Sequence, residues 1–231
     1  MKIIVSLENT KSFQLANDIK DHVDGFKINH ILWNELPNFS RILIRAFQDK
    51  ELFVDFKLWD TPNTMKTVVE KIIEKGGTMT TISSFNNPAA LEAVSEFKDD
   101  IKLLGVTYLT SWADKEQYDV VQEMEPLMWR RNLQRMRAHG FSGVISSAHD
   151  IDEIRKWGDR DHELLNVCPG ITVETPDGEP FHSGQVRTTS PKEAQELGAD
   201  YIVIGRAITE SNNPVETAME LKKEICSVEM K

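Results

Sequence analysis

A chain of 231 residues, 40% hydrophobic and 28% charged, with 12 Gly and 9 Pro, has the make-up of a folded soluble protein and not of a disordered or fibrous one. Its formal net charge of −10 argues against a nucleic-acid or anionic-membrane contact surface, so a basic pocket would be a local exception. The two cysteines, Cys168 and Cys226, lie far apart and are expected to be reduced thiols.

The opening MKIIVSLENT has an apolar run too short for a signal-peptide core, and Glu8 interrupts it. No later stretch approaches the roughly 18 apolar residues of a membrane span, so a cytoplasmic protein is expected. The first β-rich run is IIVSL (3–7), followed by GFKIN (25–29) and LFVDFK (52–57). TMKTVVEKIIEKGG then reads as a helix, because Met65, Val68, Val69, Ile72 and Ile73 form one stripe and Gly76-Gly77 ends it. The runs TMTTIS (78–83), KLLGVTYL (102–109), GVISS (143–147), LLNVCPG (164–170) and YIVIGR (201–206) complete the strand set. Asn87-Pro88, Ser190-Pro191 and Asn213-Pro214 each read as a helix N-cap followed by proline, and Ser190 with Glu193 as a capping box.

Eight strands alternating with helices predict an α/β chain with a parallel sheet, most simply a single-domain (β/α)8 TIM barrel over 1–231. The competing doubly wound sheet lacks its G-x-G-x-x-G fingerprint after the first strand, where VSLENT stands.

In such a barrel, functional groups gather at the carboxyl ends of the strands. Those ends carry Ser6 and Glu8, Lys27 and Asn29, Asp55 and Lys57, Ser83, Thr110 and Ser111, Pro169-Gly170, and Gly205-Arg206. Asp55 and Lys57 are two apart and so share a strand face. A surface ion pair on an edge strand is the plain alternative, but Leu52, Phe53, Val54, Phe56 and Leu58 are too apolar for an exposed edge. With Asp60 at the following turn and Lys27 ending the preceding strand, an alternating network of two anions and two cations is expected. At the chain's other end, Arg206 after Gly205 suits a phosphate, which barrels of this kind often bind after the seventh and eighth strands. The Gly- and Pro-containing stretch 171–189, with Gln185 and Arg187, reads as a lid.

Trp59 reads as interface or core packing, and Trp112 and Trp129 as packing for the long helical region. Cys168 reads as a small hydrophobe. The run Arg130, Arg131, Arg135 and Arg137 reads as a solvated helix face. The histidines show no metal spacing, and only His182, in the lid, invites a test.

DFKLWDTPNT resembles the D-x-K-x-x-D-x-P-x-T signature of the orotidine 5′-monophosphate decarboxylase family. The resemblance extends through FKIN (26–29), GVTYLTS (105–111), GVISSA (143–148), CPGI (168–171), GQVRTTSP (184–191) and GADYIVIGRAIT (198–209). It implies cofactor-independent decarboxylation of orotidine 5′-monophosphate (OMP) to UMP, in de novo pyrimidine biosynthesis. Lys57 would be the proton donor, in a network with Asp55, Lys27 and Asp60. It implies substrate-binding roles for Glu8, Thr64, Thr110, Ser111, Pro169, Gln185, Gly205 and Arg206, and a homodimer in which Asp60 and Thr64 serve the partner's site. It implies no metal; the net charge without a basic stripe, and the lack of a long apolar run, lead to the expectation of no nucleic-acid and no membrane partner. The chain departs from the family pattern at Glu8, where Asp is usual; at Ser83–Asn87, in place of His-Ala-x-Gly-Gly; and at Thr172, where many bacterial members have Arg. Two rivals stay open: a Mg-dependent sugar-phosphate decarboxylase or aldolase on the same barrel, and a catalytically silent nucleotide-binding homologue.

Overall fold

In a computed structural model the chain forms a closed barrel of eight parallel strands in sequence order. The structure describes residues 1–30, 32–34, 47, 49–107, 114–122, 125–157, 164–173 and 188–229. The strands are β1 (Lys2–Leu7), β2 (Gly25–Ile28), β3 (Glu51–Leu58), β4 (Met79–Ser83), β5 (Lys102–Val106), β6 (Gly143–Ile145), β7 (Leu165–Cys168) and β8 (Tyr201–Ile204). Each of the eight expected runs overlaps one of these strands, and β1 closes the ring against β8 with Ile4 opposite Val203. A barrel has no edge strand, which removes the edge-pair reading of Asp55 and Lys57. Among the described residues no helix is long and apolar enough to cross a membrane.

Local chemistry places the helices as expected. Pro62–Glu74 buries Met65, Val69 and Ile72. Asn87 accepts the Ala90 N–H at 2.8 Å at the start of Pro88–Ser95, and Ser190 accepts the Glu193 N–H at 3.2 Å at the start of Pro191–Leu197. Of the capping box expected at Ser190 and Glu193 only this Ser190 half is seen, whereas a reciprocal box forms where none was foreseen. Asn9 caps Thr10–Ile19, and Ser12 Oγ accepts the Asn9 N–H at 3.1 Å in return.

Alternation along the strands builds two apolar layers. Ile3, Val5 and Leu7 face outward to the helices in the larger core. Ile4, Phe53, Met79, Leu104, Val167, Tyr201 and Val203 fill the barrel's middle. Trp129 and Met136, on the helix Glu125–Ala138, are fully buried in the outer layer, as expected for Trp129. Gly105 makes that approach possible: a Cβ there would lie 2.1 Å from Met136 Sδ.

The base of the barrel is sealed by charge. Glu51 receives Lys102 Nζ at 3.0 Å, the Thr78 hydroxyl at 2.7 Å and the Tyr201 hydroxyl at 3.2 Å, with Lys2 Nζ at 3.5 Å. Burial pushes its carboxyl up, but the hydrogen bonds and positive charges outweigh that and hold it below its ordinary value of 4.5. A carboxyl with a folded pKa below its unfolded one stabilises the fold above the unfolded value, and loses that contribution as pH falls through the folded one. Glu51→Gln should therefore lower unfolding free energy at neutral pH by about 1–3 kcal/mol. Urea unfolding of both chains across pH should show the gap closing below pH 4.5, as wild-type Glu51 takes up its own proton. A gap that persists unchanged at pH 3 would contradict this account.

Candidate active site at the barrel mouth

Asp55 sits at the carboxyl-end mouth with a side chain only 11% exposed, between two ammonium groups. Lys27 Nζ lies 3.0 Å from Asp55 Oδ2, and Lys57 Nζ lies 2.8 Å from Asp55 Oδ1. Burial pushes the carboxyl up. The charges of Lys27 and Lys57, and the hydrogen bonds from both, outweigh it and hold the group at about 2. Asp55 is therefore ionised at any ordinary pH. The Lys57 side chain is 42% exposed, so one end of the cluster is buried and the other opens to the mouth.

The backbone here is irregular. β3 and β4 pair in register through Val54 and Thr80, and resume at Leu58 and Ile82, so three residues of β3 stand against Thr81 alone. Lys57 takes up the distortion with a φ of 50°, a left-handed conformation that non-glycine residues seldom adopt. Asp55 and Lys57 do meet, as spacing of two suggests, but across a bulge and not a regular pleat. The hydroxyl of Thr81 fills the gap, accepting the Lys57 N–H at 2.8 Å and donating to Asp55 Oδ1 at 2.8 Å. Thr81 is fully buried, and nothing in the sequence marks it out beyond its parity with Met79 and Ser83 on β4.

Of the four expected charges, three converge within the chain. Asp60 stands apart: it is exposed, and its Oδ1 accepts the Thr61 N–H at 2.6 Å. Thr64 is likewise exposed, its hydroxyl 3.0 Å from that of Thr61. Trp59, between the cluster and Asp60, is 71% exposed, which overturns core packing within the chain for this residue.

Glu8 is exposed just after β1, and its Oε1 would lie 3.8 Å from a Cβ on Gly205, so the ends of β1 and β8 meet at the mouth. Pro169 follows β7. Gly205 follows β8 and opens the short helix Arg206–Thr209, with Arg206 exposed at its first position. Thr110, Ser111, Trp112, His182, Gln185 and Arg187 lie outside the described residues.

The segment that departs from the family pattern is tightly built. Asn86, 1% exposed, donates to Leu58 O at 2.8 Å and Ser83 O at 2.9 Å, and so ties the end of β3 to the end of β4. Arg135 reaches in from the helix Glu125–Ala138 to Ser84 O at 2.8 Å and also to Asn86 O. That corrects the solvated-face reading for Arg135. Its partners are backbone carbonyls some fifty positions earlier, which no pattern on the helix itself could reveal. Cys168 is fully buried, and burial pushes its thiol up to about 12, which suits a packing residue and not a nucleophile. Among the described residues no three of His, Cys, Asp and Glu gather as metal ligands would.

A profile described as Orotidine 5′-phosphate decarboxylase / HUMPS family matches residues 1–221. Orotidine 5′-phosphate decarboxylase of Aquifex aeolicus is 30% identical over 228 residues, covering 93% of this chain and 94% of that protein. That of Methylococcus capsulatus is 32% identical over 219 residues, covering 93% of this chain and 86% of that protein. Among solved structures, orotidine 5′-phosphate decarboxylase from Pyrococcus horikoshii superposes with a TM-score of 0.74 at 24% identity, covering 97% and 99% of the two chains. An uncharacterized conserved protein from Geobacillus kaustophilus gives 0.76 at 22% identity, covering 96% and 99%. These two likenesses show the shared barrel. With a family match along nearly its whole length and a charged cluster at the mouth of that barrel, the chain belongs to the orotidine 5′-phosphate decarboxylase / HUMPS family.

Proposed function

We propose that this chain, acting as a single barrel domain, decarboxylates OMP to UMP without a cofactor, and that Lys57 delivers the proton to the carbon that loses CO2. The observation that carries this reading is the Lys27–Asp55–Lys57 cluster at the barrel mouth, with Asp55 held ionised at about 2. As CO2 departs, the bonding electrons stay on the pyrimidine carbon, and no conjugated sink in the ring accepts them directly. The protein must meet that charge with a pre-placed cation. The Lys57 ammonium, bound 2.8 Å from the Asp55 carboxylate, would give its proton to the developing carbanion, the stronger base. Lys57 Nζ then loses one proton to the ring and regains one from solvent.

Two ammoniums and one carboxylate leave the cluster with a surplus positive charge. An anionic substrate would compensate it, as would Asp60 from a second copy of the chain. The exposed Trp59, Asp60 and Thr64 form one surface beside the mouth and fit a homodimer in which Asp60 and Thr64 complete the partner's site. Glu8, beside Gly205, would accept ribose hydroxyls. Pro169, Gly205 and Arg206 would line the phosphate end, where a guanidinium can fork onto phosphate oxygens. Thr110, Ser111 and Gln185 are proposed as pyrimidine and phosphate contacts on the family pattern alone.

Lys57→Ala should lower kcat by at least about 100-fold in buffer containing EDTA, while the folded variant still binds UMP by calorimetry. Retention of more than about a tenth of the wild-type rate would remove Lys57 from the proton-donor role. EDTA-sensitive turnover of the wild-type chain would point instead to metal-assisted sugar-phosphate chemistry. Arg206→Ala should weaken turnover of the nucleotide far more than that of the phosphate-free nucleoside, and equal losses on both would remove it from the phosphate site. Lys57→Ala and Asp60→Ala chains, each inactive alone, should regain activity on mixing. Confirmed subunit exchange without recovery would rule out a shared site.

A further inference from the structure

We propose that Thr81 is the positioning residue for the proton donor, its hydroxyl fixing both the Lys57 backbone and the Asp55 carboxylate to which the Lys57 ammonium is bound. This rests on the decarboxylase reading above.

A bulge of three residues against one leaves the Lys57 N–H without its ladder acceptor from β4. An N–H left without a partner there would be costly, and the left-handed φ of Lys57 adds strain of its own. The Thr81 hydroxyl removes the first cost by accepting that N–H at 2.8 Å. An amide N–H can only donate, so the hydroxyl's single proton is free for Asp55 Oδ1, also at 2.8 Å. Both ends of one hydroxyl are thereby committed, one to the main chain of the lysine and one to the carboxylate oxygen that receives the lysine's Nζ at 2.8 Å. The loop closes on itself: backbone N of Lys57, Thr81 Oγ1, Asp55 Oδ1, Lys57 Nζ. Its direction requires an ionised Asp55, and Lys27 on the other carboxylate oxygen supplies the charge that keeps it so. Thr81 is 0% exposed and two positions beyond Met79, which lies in the barrel's inner layer, so the hydroxyl reaches the cluster from a rigid strand inside the barrel. Thr81 need not touch substrate to matter, since displacing a reacting group by about 1 Å can cost about 100-fold in rate.

Thr81→Val keeps the shape and removes the hydroxyl, and Thr81→Ser keeps the hydroxyl. Steady-state OMP turnover, UMP affinity by calorimetry and exchange of the Lys57 amide by NMR would be measured on folded wild-type, Val and Ser chains. Val should lose about 10- to 100-fold in kcat with UMP affinity within about threefold of wild type, and should lose Lys57 amide protection. Ser should keep kcat and protection near wild type. Should Val not fold, Thr81→Ala, where water can enter, carries the same expectation. A folded Val or Ala chain with kcat within about twofold of wild type, or a Ser chain as impaired as Val, overturns the proposal. A wild-type chain inert toward OMP overturns the functional reading instead. Amide protection that survives in Val then rejects the positioning role, and protection lost in Val and kept in Ser upholds the geometry.

Discussion

One carboxylate shared between two ammoniums organises the mouth of this barrel. Asp55 alone, at 11% side-chain exposure, would be a costly buried anion. Lys27 alone, at 18%, would be a poorly hydrated cation. Together, attraction of about 4 kcal/mol per pair at 4 Å and an effective dielectric near 20 offsets much of the desolvation. Deleting Asp55 or Lys27 would strand the other's poorly hydrated charge, whereas the more exposed Lys57 can be removed with the Lys27–Asp55 pair left in place. The same cluster sits on distorted backbone: Lys57 holds its ammonium on Asp55 from a left-handed φ at the bulge between β3 and β4.

The surrounding residues serve that geometry at increasing distance. Thr81 bridges lysine backbone and carboxylate. Asn86 ties Leu58 O, at the end of the same strand, to Ser83 O on the next. Arg135 then braces the Ser84 and Asn86 carbonyls from the outer helix layer. The Ser83–Asn87 segment, unlike the family pattern in sequence, thus has a coherent structural role. It anchors the turn from which Trp59 and Asp60 project.

Most of the architecture was legible because parallel barrel strands are buried on both faces and read as short apolar runs that break at polar residues. The cluster was legible for the same reason: Asp55 and Lys57 interrupt a run that has no business carrying charge. What stayed hidden was anything decided by main chain. Thr81 is one of three threonines in TMTTIS, and β-propensity alone accounts for threonine there. The bulge leaves no mark, since Asp55 and Lys57 touch either way. Arg135 looks like its neighbours Arg130 and Arg131 until its carbonyl partners arrive from another element. Trp59 illustrates the opposite limit, where a large aromatic in an apolar signature proves to lie mostly in the open.

The inner face of β3 runs Glu51, Phe53, Asp55: an anion in the base network, an aromatic in the middle layer, an anion at the mouth. Four residues of strand separate the two carboxylates by about 13 Å, at which distance they couple by only about 1 kcal/mol even in a protein-like dielectric. The belt of Ile4, Phe53, Met79, Leu104, Val167 and Val203 is thus an insulator between two electrically independent poles. One pole holds the base of the barrel together and the other faces the mouth, so a change of charge at the mouth leaves the energetics of the base network almost untouched.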